Sequence, residues 1–256
     1  MKILAIGDIV GKSGLDYLKS KITQIKEENK IDFIIVNGEN AADGFGVTEK
    51  MFKELVNIGV DVITMGNHTW GKKDIFSIID DTHIIRPANY SENVPGNGYN
   101  IYNSNGKKIL VMNLIGRVDM PVLSENPFIV AKKIVDTQKS KVDIIIIDFH
   151  GEATAEKKAF GYYLDGDVSI VFGTHTHVQT ADEQILPKGT AYITDIGMTG
   201  PQNSVIGMDI DVSLKRFLTS IPEKYKTASG TCKIDAIIFD VDDSTNKVKS
   251  MKRVSY

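Results

Sequence analysis

Residues 2–18 read KILAIGDIVGKSGLDYL. Lys2–Ile6 is a largely apolar run of strand length, and Gly7–Asp8 closes it. Beyond it, Leu15, Leu18, Ile22 and Ile25 recur at helical spacing, which predicts a helix to about Glu28. A second apolar run, Asp32–Val36, follows at once. Strand, helix, strand over so short a span is a βαβ unit, and it places the chain among α/β proteins. The same stretch poses a chemical question, because Gly7–Ser13 has the look of a phosphate-cradling loop. A Walker A loop needs the spacing G-x-x-x-x-G-K, and this one is a residue short, with Asp8 set where phosphate would be repelled unless a cation intervened. Asp8 as a metal ligand explains more than a P-loop does.

The remaining periodicities extend the pattern. Thr48 is placed to cap a helix carrying Met51, Phe52, Leu55 and Val56, and Asn126–Pro127 supplies a cap and first-turn proline for a helix to about Gln138. Strands are expected at Val60–Met65, Lys108–Leu114, Val142–Phe149 and Val168–Phe172, with helices near Asp74–Ile79, from Thr154 and over Ser213–Leu218. Gln184–Leu186 and Thr190–Thr194 form a hairpin pair, and Lys233–Val241 and Lys247–Val254 flank the polar turn Asp242–Asn246. Asn89–Asn105 is expected to be a long loop or hairpin rather than a boundary. The reading is of sheets packed face to face with helices outside, in a single domain over 1–256.

Composition narrows the class. With 42% hydrophobic and 25% charged residues the chain is ordinary for a soluble globular protein. A formal net charge of −3 argues against a stable nucleic-acid complex. The one cysteine, Cys232, allows no intrachain disulfide and suits a reducing compartment. The first apolar run is too short for a signal-peptide core. No run nears the roughly 20 apolar residues needed to span a bilayer. A cytoplasmic protein with no membrane association is expected. The composition is compatible with a homo-oligomer.

The polar residues carry the functional signal. Strand after strand ends in a metal-competent side chain: Asp8, then Glu39 and Asn40, then Asn67 and His68, then His150, then His175 and His177. In open α/β sheets ligands bind outside those carboxyl ends. Gly38, Gly66 and Gly173 stand just ahead of donors, where a small residue lets the backbone turn sharply. Of the five histidines only His83 lies elsewhere. Singly, each residue has an ordinary explanation as a helix cap, a turn residue or a core histidine. His175-x-His177 is more specific, since alternate residues of an extended chain face the same way. The donors are carboxylate, amide and imidazole, with no thiolate, which argues against a structural zinc site. Mixed nitrogen and oxygen ligation suits Fe, Mn, Zn or Ni, the oxygen donors favouring the harder ions. Two such ions about 3.5–4 Å apart clamp both the attacking and the leaving oxygens of a phosphoryl centre.

The residues GD (7–8), GEN (38–40), GNH (66–68), His150 and GTHTH (173–177) stand in the order of the calcineurin-like metallophosphoesterase superfamily. NGENAADGFGVT (37–48), TMGNHTW (64–70), FHGEAT (149–154), GTHTHVQTAD (173–182) and YITDIGMTGP (192–201) resemble its YmdB-like bacterial branch. The resemblance covers nearly the whole chain. It implies an αββα sandwich of two mixed β-sheets flanked by helices, with a site for two divalent metals (Fe or Mn first, then Zn, Ni or Mg) at the sheet edge. It implies that Asp8 and His177 hold one ion, that Asn67, His150 and His175 hold the other, that Glu39 bridges them, and that His68 is the catalytic histidine. Where the superfamily has D-x-H this chain has Asp8–Ile9–Val10, and Asn40 is the residue to replace the lost ligand. The implied activity is a phosphodiesterase acting on small cyclic nucleotides such as 2′,3′-cyclic AMP through a metal-activated hydroxide. A phosphomonoesterase of the same superfamily, or a nucleotide-sensing regulator without catalysis, are the alternatives. Lys12 and Ser13 for phosphate, Phe45, Trp70 and Tyr163 for a base, and Thr176 and Gln179 as supports of the histidine pair complete the expectations.

Overall fold

The computed structural model describes all of residues 1–256. Its first half runs β1 (Lys2–Ile6), β2 (Asp8–Ile9), α1 (Gly11–Asn29), β3 (Phe33–Asn37), α2 (Glu49–Asn57), β4 (Val62–Thr64), α3 (Ile75–Ile78), β5 (Ile84–Ile85), β6 (Tyr99–Ser104), β7 (Lys107–Ile115) and α4 (Pro127–Gln138). The second half runs β8 (Ile144–His150), α5 (Thr154–Tyr163), β9 (Ile170–Thr174), β10 (Gln184–Ile185), β11 (Ala191–Ile193), β12 (Met198–Pro201), α6 (Ile210–Thr219), β13 (Cys232–Val241) and β14 (Val248–Ser255).

The strands form two mixed sheets. One has the order β2-β12-β13-β1-β3-β4-β5, with β14 added to β13, and the other the order β10-β11-β9-β8-β7-β6. Within the first, β1, β3, β4 and β5 are parallel; within the second, β7, β8, β9 and β11 are. Alternation explains the layering. Ile3, Ala5, Phe33 and Ile35 point from the first sheet into a core shared with Ile109, Val111, Ile144, Ile146, Ile170 and Phe172 of the second. Their neighbours Leu4, Ile6, Ile34 and Val36 face the opposite way, onto Leu15, Leu18, Ile22 and Ile25 of α1. Leu110, Met112, Ile145 and Ile147 do the same on the far face of the second sheet, under α4 and α5. Strands covered on both faces are apolar throughout, which is why Ile144–Ile147 is an unbroken run.

The caps expected from sequence form. Thr48 Oγ1 accepts from the Met51 amide at 3.3 Å, and Asn126 Oδ1 accepts from the Phe128 amide at 3.0 Å ahead of Pro127. Three short strands escaped the sequence reading, and a fourth strand realises the hairpin alternative expected for 89–105. β2, β5 and β12 are two to four residues long, too short for a periodicity. β6 lies in the 89–105 stretch, where it pairs antiparallel with β7. The fold therefore brings the carboxyl ends of β1, β3 and β4 to one edge, opposite those of β8 and β9.

Candidate metal centre

All the expected donors meet at that edge. Asp8, Glu39, Asn40, His150 and His177 are buried, and Asn67, His68 and His175 are partly exposed. Glu39 Oε1 lies 3.0 Å from His150 Nε2. The same His150 nitrogen lies 3.0 Å from Asn67 Oδ1 and 3.0 Å from His175 Nδ1. Glu39, His150 and His175 thus offer three ligand atoms within 4.8 Å of one another. Beside them, His177 Nε2 is 3.5 Å from Asp8 Oδ1 and 3.2 Å from the Asn40 amide nitrogen, which is also 3.3 Å from Asp8 Oδ1 and 3.3 Å from Glu39 Oε1. Asn40 Oδ1 faces His68 Nδ1 at 2.9 Å. Turning the amide over, which exchanges two atoms of equal size, puts the oxygen among the donors and the nitrogen on His68.

The sequence reading of the histidine pair needs correction on local grounds. His175 and His177 are not on extended chain: both have left-handed backbone, φ 102° and φ 63°, just past β9. They converge because the loop coils, not because a strand alternates. Gly38 and Gly66 do open turns, their carbonyls accepting from the Ala41 amide at 3.1 Å and the Thr69 amide at 3.2 Å, but none of the three glycines, Gly173 included, has a positive φ. What they supply besides is space. A Cβ on Gly66 would strike the Glu39 carboxylate and the His150 ring, and one on Gly38 would sit 2.7 Å from Ile63 Cγ2.

Outer partners set which ring nitrogen each histidine turns inward. The Thr174 hydroxyl donates to Asp148 Oδ1 at 2.7 Å, so Thr174 Oγ1 accepts from His150 Nδ1–H at 2.8 Å and leaves the Nε2 lone pair inside. His177 Nδ1–H donates to the Ile206 carbonyl at 2.8 Å, and His175 Nε2–H faces Glu152 Oε2 at 3.0 Å. Three imidazole lone pairs, two carboxylates and two amides then share one small volume. Acceptors at 3.0 Å from one another need a proton or a cation between them. Such outer hydrogen bonds fix the tautomer and orientation of metal-ligating histidines. The donor set fits divalent metal ions.

The electrostatics agree. Asp8 and Glu39 are fully buried, and no lysine or arginine pairs with either. Burial opposes their charge, but the surrounding histidines outweigh it and hold both carboxyls below the usual range. The counterpart is His177, which burial disfavours as a cation while Asp8 lifts it to about 9. His150 is likewise raised, by Glu39 against burial. His175, losing to burial and to the His150 charge, falls to about 3. Burial also lowers His68. Asp148, beneath the cluster, is pushed by burial up to about 7, against His150 and the hydroxyls of Thr64 and Thr174.

Several residues that matter carried little sequence signal. Asp148 ties the two sheets together, accepting from Thr64 Oγ1 at 2.5 Å and Asn37 Nδ2 at 3.4 Å. A charge inside the strand IIIIDFH was the available hint. Lys157, buried on α5, donates to the Thr174 carbonyl at 2.7 Å and to Asp195 Oδ2 at 2.8 Å, and the same carboxylate accepts from the Thr176 amide at 3.0 Å. This ion pair braces the loop of His175 and His177. Thr176 supports that loop through its backbone, and Gln179 bonds the carbonyls of Ala236 and Ile196 rather than either histidine. A cavity of about 490 Å³ opens over the cluster, lined by His68, His175 and His177 and by Phe45, Met208, Arg216 and Tyr225. Of the aromatic residues expected to meet a base, only Phe45 lines it; Trp70 packs on Phe76 and Tyr90, and Tyr163 on Phe128. Lys12 pairs with Asp16 at the exposed start of α1, and neither it nor Ser13 reaches the cavity. No helix is long and apolar enough to cross a membrane.

Comparison with known proteins adds an independent line. The family model described as "YmdB-like protein" matches residues 4–254. A 2′,3′-cyclic-nucleotide 2′-phosphodiesterase of Bacillus subtilis (strain 168) is 49% identical over 255 residues, covering 99% of this chain and 96% of that protein. A hypothetical protein from Thermus thermophilus superposes with a TM-score of 0.95 at 34% identity, over 100% of this chain and 99% of that one. A crystal structure titled a novel phosphatase, from Mycoplasma pneumoniae, superposes with a TM-score of 0.94 at 37% identity, over 100% and 93% of the two chains.

Proposed function

The chain belongs to the YmdB-like family, and from that premise we propose that it is a metal-dependent phosphodiesterase whose substrates are small phosphate diesters, 2′,3′-cyclic nucleotides foremost. One observation carries the metal part of the reading: two fully buried carboxylates, Asp8 and Glu39, have only histidines and amides for company, with lone pairs turned inward. Carboxylate charge at such depth is costly without a counter-charge, and a bound cation supplies one when the histidine lone pairs point inward. Asp8, His177 and Asn40 would hold one divalent ion, Asn67, His150 and His175 a second, and Glu39 both. Fe or Mn ranks ahead of Zn, Ni and Mg for this mixture of oxygen and imidazole donors. Bound there, the ions supply Lewis acidity and bring the pKa of water down toward about 7.

The chain's own residues do the rest. His68 sits on the cavity wall with its backbone amide donating to Glu39 Oε2 at 2.9 Å, so its ring is anchored beside the cluster without belonging to it. Its lowered pKa keeps the imidazole neutral near neutrality. With the Asn40 amide nitrogen donating to Nδ1, the other ring nitrogen carries the proton and can donate a hydrogen bond to a phosphoryl or leaving oxygen as charge grows there, the ring staying neutral. Phe45 holds the His68 ring from the solvent side, ring centres 4.7 Å apart.

The test is turnover of bis-p-nitrophenyl phosphate, p-nitrophenyl phosphate and 2′,3′-cyclic AMP by the purified chain, with Mn and with chelator. Diester hydrolysis that needs Mn supports the proposal. Faster cleavage of the monoester would make it a phosphomonoesterase, and no hydrolysis with any metal would leave a nucleotide sensor.

A further inference from the structure

We propose that the outer wall of the cavity is a nucleobase subsite in which Phe45 and Tyr225 present ring faces and Arg216 reads the acceptor edge of a purine. The proposal rests on the phosphodiester reading above and concerns the part of the substrate that the donor cluster does not touch.

The cavity, at about 490 Å³, lies in the size range of small-molecule sites and exceeds what one phosphate fills. Its inner side is the donor cluster; its outer side combines Phe45, Tyr225, Ile206 and Met208 with the charged Arg216 and Glu152. Phe45 is 51% exposed and Tyr225 38%, so both rings keep surface that the protein leaves uncovered. They are neighbours through Gly44, at φ 78°, where an added Cβ would sit 2.5 Å from Tyr225 Cζ. Tyr225 therefore lies flush on the backbone beside Phe45, and Gly44 keeps the two rings on one wall. Exposed aromatic faces at a nucleotide-sized opening are what bases stack upon.

Arg216 adds direction. It projects from α6 into the same cavity, and its guanidinium makes no hydrogen bond or ion pair with the protein. Arg86 and Arg253, by contrast, are satisfied by backbone carbonyls and by Glu183 at 2.7 Å, while Arg117, exposed and unpaired like Arg216, does not line this cavity. A guanidinium has donors only, so its ligand must bring acceptors. The scissile phosphate is claimed by the cluster. The acceptors then come from the remainder of the ligand, and guanine presents O6 and N7 side by side, a bidentate match that adenine lacks. A second phosphate offers similar acceptors, and the experiment separates the two.

Specificity constants of the Mn-loaded full chain are to be measured with guanosine, adenosine and uridine 2′,3′-cyclic phosphates, with ethyl p-nitrophenyl phosphate as a base-free diester, and with an adenosine 2′,3′-cyclic phosphate that also carries a 5′-phosphate. The wild type should favour guanosine, and Arg216→Met should bring guanosine down to the adenosine level. Tyr225→Ala should lower all three cyclic nucleotides at least about fivefold more than the base-free ester, the smaller end of a base stack. Equal losses on nucleotides and base-free ester, or a base ranking untouched by Arg216→Met, would overturn the subsite. So would a preference for the 5′-phosphorylated adenosine that Arg216→Met removes, because Arg216 would then serve a phosphate. Calorimetric binding of GMP to wild type and Tyr225→Ala reads the subsite without turnover. Weaker binding in the variant upholds it even if no ester is hydrolysed, in which case only the hydrolytic reading fails; equal affinity overturns it.

Discussion

His150 Nε2 lies 3.0 Å from Glu39 Oε1, with both side chains withdrawn from solvent. One residue comes from the end of β8 in the second sheet, the other from just beyond β3 in the first. Their contact joins the edges of the two sheets, and the proposed chemistry depends on it.

Glu39 is the donor common to both halves of the cluster, within reach of His150, His68 and Asn40. Glu39→Ala should lose bound metal, seen as a fall from two ions per chain by elemental analysis of protein purified with Mn. Two retained ions would remove Glu39 from the bridging position.

His68 meets the cluster through its backbone amide, through Asn40 and through Nδ1, which faces Glu39 Oε1 at 3.7 Å. His68→Ala should lower kcat about 10²–10³-fold, the cost of losing one hydrogen-bond donor to developing charge, while metal content stays near wild type. Full activity in that variant would withdraw the catalytic assignment.

Asp148 acts through Thr174 on His150. Asp148→Asn and Thr174→Val should each weaken metal affinity about 10–100-fold, as outer-partner losses commonly do, in a competition with a coloured chelator. Unchanged affinity in Thr174→Val would show that the hydroxyl does not orient the ring.

Lys157 and Asp195 form an ion pair with both side chains buried. Lys157→Met leaves a buried carboxylate without its partner and should cost about 3–5 kcal/mol in urea denaturation. A loss below about 1 kcal/mol would mean that the loop amides satisfy Asp195 unaided.

Asp182 has a pH signature. Burial raises its pKa, but the Thr194 and Thr180 hydroxyls and Lys158 prevail and bring it to about 2. A carboxyl depressed in the folded state binds its proton more readily when unfolded. Its contribution is therefore complete above the unfolded value of about 4 and is lost as pH falls toward about 2. In chelator-treated protein, Asp182→Asn should be less stable than wild type at about pH 6, with the gap narrowing from about pH 4 to about pH 3. A gap independent of pH would assign the difference to packing.

Much of the fold was legible in the residues themselves. The strands and helices with clear period, such as α4 and β8, lie within about two residues of their expected positions, and α1 ends one residue past its expected limit, because a buried face writes itself into the spacing of apolar residues. Donors at strand ends were legible for the same reason: parallel strands covered on both faces leave only their ends to polar side chains. Strands such as β12 were not, since a few residues carry no period and pair only because β13 lies alongside.

The sequence alone determined the longer strands and helices and which donor types stand at their ends, since both follow from local spacing and side-chain chemistry. It could not determine the left-handed loop that aims His175 and His177, the Asp148 and Lys157 anchors beneath them, or the wall formed by Phe45, Arg216 and Tyr225. Those depend on segments far apart in the chain meeting in space, and only the packing of the two sheets decides which segments meet.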